Sequence, residues 1–261
     1  MRNEWNPEKY SIVQKEYQNK YGKDLIIKLK QYCSLRNSTI LDLGCGDGNL
    51  SKELSNNVGN SGSVIAIDFD IGMIDEAIKK FQHISNIKFH NSDILHWFSN
   101  DKKYYDIIFS NAVLHWIDSH KDFDDIISKT HDRLNEKGYF TFRFSLKGHA
   151  EKSKILLEKN LRIFTRDSCL DIKRSIFTFE DCLNSIGKTG FKIIYSKELF
   201  FLPFKDEEMD YNWLIYSQPI LRYIPKDKFN EFAQFLKSNW EKDKTKVEGY
   251  QAIFILQKGV E

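Results

Sequence analysis

Five short apolar runs, separated mostly by stretches with helical spacing, occupy residues 39–145. Thr39-Ile40-Leu41-Asp42-Leu43, Val64-Ile65-Ala66-Ile67-Asp68, Ile87-Lys88-Phe89-His90, Tyr105 to Ser110 and Tyr139 to Ser145 each read as a strand, the last following a Lys137-Gly138 turn. Asn49 to Asn56, Ile71 to Gln82 and about Phe123 to Leu134 read as helices. Strands with so little polar alternation, interleaved with helices, call for a parallel sheet covered on both faces.

The flanks differ. Upstream, Lys9 to Tyr32 places Tyr10, Val13, Tyr17, Tyr21, Leu25, Ile26 and Leu29 at helical spacing. Downstream of Ser145 the strand–helix rhythm breaks. Glu151 to Phe164 and Thr178 to Lys188 read as helices, and Phe191 to Phe200 and Tyr250 to Gln257 as strands. The aromatic-rich stretch 205–246 between those two strands is too long for a simple connection, so it reads as an inserted helical cap. The expected organisation is a helical lid over 1–38, an α/β core over 39–145, and over 146–261 the rest of the sheet with the cap. A chain of 261 residues suits one such domain with insertions.

Composition removes several classes of function. Lys and Arg number 39 against 37 Asp and Glu, a net charge of +2 without the basic footprint of a nucleic-acid binder. No stretch approaches the roughly 18 apolar residues of a membrane span, and the first residues do not resemble a secretory signal. Cys33, Cys45, Cys169 and Cys182 form no CxxC pair, and the seven histidines form no HExxH. A cytoplasmic protein with reduced thiols and no metal is expected.

The chemistry concentrates at strand ends. Asp42-Leu43-Gly44-Cys45-Gly46-Asp47-Gly48 joins the first strand to the first helix of the core, where glycines permit a tight turn and let a ligand lie against bare main chain. The dinucleotide fingerprint GxGxxG starting at Gly44 requires glycine at position 49, which is Asn49. Asp68 ends the second strand, where a carboxylate can accept from both hydroxyls of a ribose. Ser92-Asp93-Ile94 follows the third, where a carboxylate can accept from an adenine amino group. Any one of these acids has a plain alternative as a solvated loop residue; three at successive strand ends do not.

These segments resemble the class I S-adenosylmethionine-dependent methyltransferases. The glycine loop is similar to that family's first motif, Ala66-Ile67-Asp68-Phe69-Asp70 through Met73 and Ala77 to its second, and Asn91-Ser92-Asp93-Ile94 and Tyr105 to Ala112 to those that follow. The resemblance implies a Rossmann-like, doubly wound sheet of seven strands with the last antiparallel, and S-adenosylmethionine as methyl donor, leaving as S-adenosylhomocysteine. It implies that Gly44, Cys45 and Gly46 back the methionine part of the donor and that Asp68 holds the ribose. Phe69 and Met73 would pack on the adenosine, Ser92, Asp93 and Ile94 would meet the adenine, and Asn111 and Ala112 would line the donor site.

Ser110-Asn111-Ala112-Val113-Leu114-His115-Trp116-Ile117 further resembles the carboxyl methyltransferases of the trans-aconitate, malonyl-acyl-carrier-protein and juvenile-hormone-acid type. That likeness implies His115 and Trp116 at the reacting groups and a small carboxylic acid, free or carrier-bound, as acceptor. Tyr10 and Gln18 would lid the site, Tyr216 lies in the matching cap segment, and Arg143 or Arg222 would pair with an acceptor carboxylate. The alternative for the arginines is a surface ion pair; for His115 it is a backbone-bonded structural role and for Trp116 core packing. Phe200, Phe201, Phe204, Tyr211 and Trp213 read as cap core. Competing functions are methyl transfer to nitrogen or carbon, a donor-binding relative without turnover, and an NAD-dependent oxidoreductase, the last opposed by Asn49.

Overall fold

The structure, a computed structural model, describes residues 19–167, 172, 174–201, 211, 214–215, 224–243 and 246–259. Tyr10, Gln18, Tyr216 and Arg222, with Phe204 and Trp213, lie outside the described residues. Residues 19–29 are helical (α1). The alternating elements follow as β1 (Thr39–Leu43), α2 (Asn49–Val58), β2 (Ser63–Asp68), α3 (Ile71–Phe81), β3 (Ile87–Asn91), α4 (Ile94–Asn100), β4 (Tyr105–Asn111), α5 (His120–Arg133) and β5 (Leu134–Ser145). Then come α6 (Glu151–Thr165), α7 (Phe179–Gly187), β6 (Phe191–Phe201), α8 (Phe229–Asp243) and β7 (Gly249–Lys258).

The strands form one sheet in the order β3-β2-β1-β4-β5-β7-β6. Neighbours from β3 to β5 pair in parallel, and β7 runs antiparallel to both β5 and β6. This is a Rossmann-like, doubly wound sheet of seven strands with the last reversed, as the family resemblance implies. Residue parity divides the core. Leu41, Leu43, Ile65, Ile67, Ile108, Phe140, Phe142, Phe144 and Phe254 face a layer containing Phe98, Phe123, Ile126 and Ile186. Their neighbours Ile40, Val64, Ala66, Ile107, Phe109 and Ile255 face the other side with Leu25, Ile26, Leu29, Leu54 and Val58. Successive strand side chains point to opposite faces, so a strand apolar at every position must be sandwiched.

The chain between β6 and β7 carries its own apolar cluster. Tyr211, Leu214, Ile215, Phe232, Leu236 and Trp240 are buried together with Leu156, Leu157 and Leu161 of α6. Tyr211 is core there, as expected; Phe200 instead stands exposed on β6 with its ring against Tyr250 at 4.8 Å.

Two local readings are corrected. The segment 94–100, to which the sequence pattern assigns no element, is helix α4, seven residues long and capped by Asp93. Its Ile94-Leu95 and Trp97-Phe98 pairs are too few to establish a helical period. The expected turn at Lys137-Gly138 is a bulge inside one longer strand: Tyr105 pairs with Leu134 but Ile107 with Tyr139, and Lys137 adopts φ 60°. Asp106 holds this irregularity. Its Oδ1 accepts from Asn135 Nδ2 at 2.8 Å and its Oδ2 from the Thr39 amide, also at 2.8 Å, tying β1, β4 and β5 together. Asp106→Ala strands the Thr39 N–H, and we expect a loss of about 1–2 kcal/mol in denaturant unfolding with no change in ligand affinity.

Candidate active site

The chain runs from β1 outward to β2 and β3, then returns to lay β4 and β5 on the other side of β1. The crevice between the carboxyl ends of β1 and β4 is therefore the topological switch point, where open α/β sheets bind ligands. The glycine loop forms one wall. Gly44, Cys45 and Gly48 are fixed by main-chain bonds: Gly44 and Cys45 both donate to the Ile67 carbonyl, at 2.8 and 2.9 Å, and Gly48 to that of Cys45 at 3.1 Å. Gly44, Gly46 and Gly48 all have left-handed φ, of 75°, 54° and 80°, a region that other residues enter at a steric cost.

The three glycines serve different ends. A Cβ on Gly44 would lie 2.2 Å from Val113 Cγ2 in the loop after β4, and one on Gly48 would lie 2.9 Å from the Phe89 ring. Both are bare because protein packs against them. At Gly46 an added Cβ meets nothing within 4 Å, so its bare face borders open space. Cys45 is buried and its thiol held well above its usual range by burial, which leaves it inert as a nucleophile.

Asp68 stands beside this opening. Its Oδ2 accepts from Gly46 N–H and its Oδ1 from Asp70 N–H, each at 2.9 Å. Burial raises its pKa, opposed by those two amide hydrogen bonds. Phe69, next in sequence, is 67% exposed, whereas Met73 is buried at 6%, so Phe69 alone of the pair presents its side chain freely. Asn91 Nδ2 donates to the Asp68 and Phe69 carbonyls, both at 2.9 Å, fixing the turn that carries them. Ser92 N–H donates to the Asp68 carbonyl at 2.9 Å. Asp93 is exposed, with Oδ1 accepting from the Leu95 and His96 amides as the cap of α4. Ile94 is buried beneath it. Asp47 is turned to structure, its carboxylate pairing with Lys80 at 2.7 Å.

Across the crevice, β4 ends in buried Asn111, and Ala112 takes a left-handed φ of 60° with its N–H bonded to the Arg143 carbonyl at 2.7 Å. A left-handed alanine between two packed elements is strain held at a site by its surroundings. His115 and Trp116 follow in a 3₁₀ turn, Leu114–Trp116, both half-buried with ring centroids 4.8 Å apart. Arg143 on β5 pairs in register with Asn111. It is 5% exposed, donates Nε–H to Gln251 Oε1 at 2.6 Å, and lies 3.9 Å from the Tyr21 ring centroid. The surface ion pair considered from sequence does not describe Arg143, which is buried and makes no ion pair among the described residues.

The structure thus brings Gly44, Cys45, Gly46, Asp68, Phe69, Ser92, Asp93, Asn111, Ala112, His115, Trp116 and Arg143 to the carboxyl edge of one sheet. Sequence reasoning missed Tyr21, which it took only as a periodic apolar position, and Asn91. Among the described residues no group of three or more His, Cys, Asp or Glu is placed to hold a metal ion, and no helix is long and apolar enough to cross a membrane.

Comparisons with known proteins agree with this geometry. Residues 40–138 match the family described as a methyltransferase domain. The chain is 36% identical over 106 residues to the provisionally assigned methyltransferase 235L of Invertebrate iridescent virus 6, a match covering 41% of this chain and 36% of that protein's length. Among solved structures it resembles a provisionally assigned sarcosine dimethylglycine methyltransferase from Galdieria sulphuraria, with TM-score 0.62, 12% identity, and coverage of 94% of this chain and 88% of the other. It also resembles phosphoethanolamine N-methyltransferase 2 of Haemonchus contortus in complex with phosphomonomethylethanolamine and S-adenosylhomocysteine, with TM-score 0.60, 15% identity, and coverage of 91% and 53%. The [4+2]-cyclase SpnF shares the fold as well, at TM-score 0.58 and 17% identity, covering 87% of this chain and 76% of its own. The likeness to a methyltransferase domain thus lies over residues 40–138, and the solved structures share the fold of the sheet.

Two outcomes follow from the loop. Gly44→Ala forces a methyl into Val113 and should lower the melting temperature markedly. Gly46→Ala carries only the φ penalty, about 1–2 kcal/mol, and should keep the fold while obstructing whatever fills the space beside it; melting and ligand titration of the two variants separate these effects. Asp42 gives the second. It is buried on β1, accepts from Ser51 Oγ at 2.7 Å, and is pushed up to about 7 by burial, partly offset by Ser51 and reinforced by the nearby Asp68 charge. A carboxyl that holds its proton more tightly folded than unfolded stabilises fully below its unfolded pKa, and that stability is lost as pH rises through the folded value. Asp42→Asn keeps the Ser51 bond without the charge. We expect no gain near pH 4, a gain growing up to about pH 7, and a plateau of a few degrees in melting temperature above it.

Proposed function

We propose that this chain transfers the methyl group of S-adenosylmethionine to a small molecule, by O-methylation of a carboxylate. The observation that carries the donor assignment is the pairing of Gly46 with Asp68: a left-handed glycine whose bare face borders open space, hydrogen-bonded at 2.9 Å to a strand-end carboxylate. The residues present fit the donor. Asp68 is set to accept from ribose hydroxyls, and Gly44, Cys45 and Gly46 offer main chain to the amino-acid part. The exposed Phe69 ring offers a flat apolar face to adenine, with Ser92 and Asp93 at its rim and Ile94 and Met73 supporting from below. Asn111 and the left-handed Ala112 line the opposite wall.

S-adenosylmethionine supplies an activated methyl on a sulfonium with a good leaving group. What remains for the protein is to align, dry and orient. A carboxylate acceptor is ionised at neutral pH and requires no base, which agrees with a site that offers aromatic rings and an arginine rather than a proton-abstracting pair. In this reading His115 and Trp116 shape the acceptor's approach, and Tyr10, Gln18, Tyr216 and Arg222 belong to the acceptor side. If the acceptor were a hydroxyl, His115 would be the base within reach of the site.

Calorimetric titration with S-adenosylhomocysteine and, separately, NAD tests the donor. We expect saturable binding of the former, weakened at least about tenfold in Asp68→Ala when titrated below that variant's melting temperature, which falls because the Gly46 and Asp70 amides lose their acceptor, and none of the latter; preference for NAD would reverse the assignment. Incubation with methyl-labelled donor and a panel of carboxylic acids then tests the acceptor. Label released by mild alkali marks an ester, while base-stable label marks nitrogen or carbon and would overturn carboxylate methylation.

A further inference from the structure

The pairing of β2 with β3 ends at the register pair Asp68–Asn91, followed by one last main-chain bond from the Ser92 N–H to the Asp68 carbonyl at 2.9 Å. Past it the chain turns toward α3. The Asn91 side chain carries the pairing one residue further. Its Nδ2 donates to the Asp68 and Phe69 carbonyls, both at 2.9 Å. Only the amino end of an amide can meet two carbonyl oxygens, so its partners fix the orientation of this group.

Burial does not explain the clamp. Asn91 is exposed and β3 is the outermost strand of the sheet, so water can take the place of the side chain when it is removed. The two bonds therefore add little to stability. What they add is order, at the residues that meet the ribose and the adenine in the proposed reading.

Asp68 needs that order. Its Oδ1 accepts from the Asp70 N–H and its Oδ2 from the Gly46 N–H, each at 2.9 Å. Each oxygen then keeps acceptor capacity for one ligand hydroxyl, and a ribose diol is received only while both remaining directions converge on it. Phe69 needs it for another reason. Its ring is 67% exposed, so packing does little to place it and the main chain decides where it stands.

We propose that Asn91 is a positioning residue for the methyl donor: by clamping the Asp68 and Phe69 carbonyls it presets the carboxylate and the ring for the nucleoside. Ordering the turn before the ligand arrives removes a cost that binding would otherwise bear. The proposal rests on the donor reading of Asp68 and Phe69, and its test separates the two.

Asn91→Ala removes the clamp. Asn91→Asp keeps the size of the side chain but turns a carboxylate toward two carbonyl oxygens. Wild type, both variants and Asp68→Ala are titrated calorimetrically, each below its melting temperature, with S-adenosylhomocysteine and with the same compound lacking both ribose hydroxyls. Wild type should prefer the diol at least about tenfold. Affinity for S-adenosylhomocysteine should fall from wild type to Asn91→Ala and further to Asn91→Asp, by about tenfold or more in the last. In both variants the preference for the diol should shrink toward that of Asp68→Ala. A merely structural residue leaves this preference alone, because lost stability acts on both compounds alike. Wild type that fails to bind S-adenosylhomocysteine, or binds it without preferring the diol, overturns the donor reading and this proposal together. Wild type that binds as expected, with affinity or preference unchanged in Asn91→Ala, overturns the positioning role and leaves the donor site standing.

Discussion

The carboxyl edge of this sheet depends on how β1 stops. Two successive amides, Gly44 and Cys45, share the carbonyl of Ile67, so the chain turns off β1 while still bonded to β2. That turn requires left-handed backbone at Gly44, and Gly44 must be bare because Val113, from the other side of the switch point, occupies the space a side chain would need. One steric requirement thus sets the width of the crevice, the approach of the β4 loop and the position of Gly46. Asp68 then completes the corner by accepting the Gly46 amide, so the group that would bind ligand hydroxyls is itself anchored by the loop that would bind the rest of the ligand.

The opposite wall is built by a different device. Ala112 is held in a left-handed conformation by an N–H bond to Arg143 on β5, and the same Arg143 sends its side chain under Tyr21 of α1. Backbone and side chain of one residue therefore connect the loop carrying His115 and Trp116 to the helix packed over the sheet. The cost of the strained alanine is met by a buried network rather than by solvent, in keeping with the sparse exposure of Arg143 and Asn111.

How much of this was legible in the sequence divides along physical lines. The sheet was readable because strands buried on both faces leave continuous apolar runs, and parity alone then sorts Leu41 from Ile40 into the two layers. Asp68 and the glycine spacing were readable because each is a local demand of strand end and turn. Helix α4 was not, since two pairs of apolar residues in seven positions carry no period, and the bulge after Leu134 was not, since Lys137-Gly138 makes an equally good turn in isolation. Arg143 was named but its setting was not foreseen: its burial comes from Tyr21 and Gln251, each more than 100 residues away in sequence, and no local pattern encodes that.

Lys154 shows how a buried charge can be read in both directions. From sequence, a lysine on an apolar stripe is most economically a snorkelling residue whose ammonium reaches water. In the structure its burial depresses its pKa to about 8, so near neutral pH most of its molecules remain charged in a setting that disfavours charge. A cation held at that depth, without an ion pair among the described residues, destabilises the folded protein.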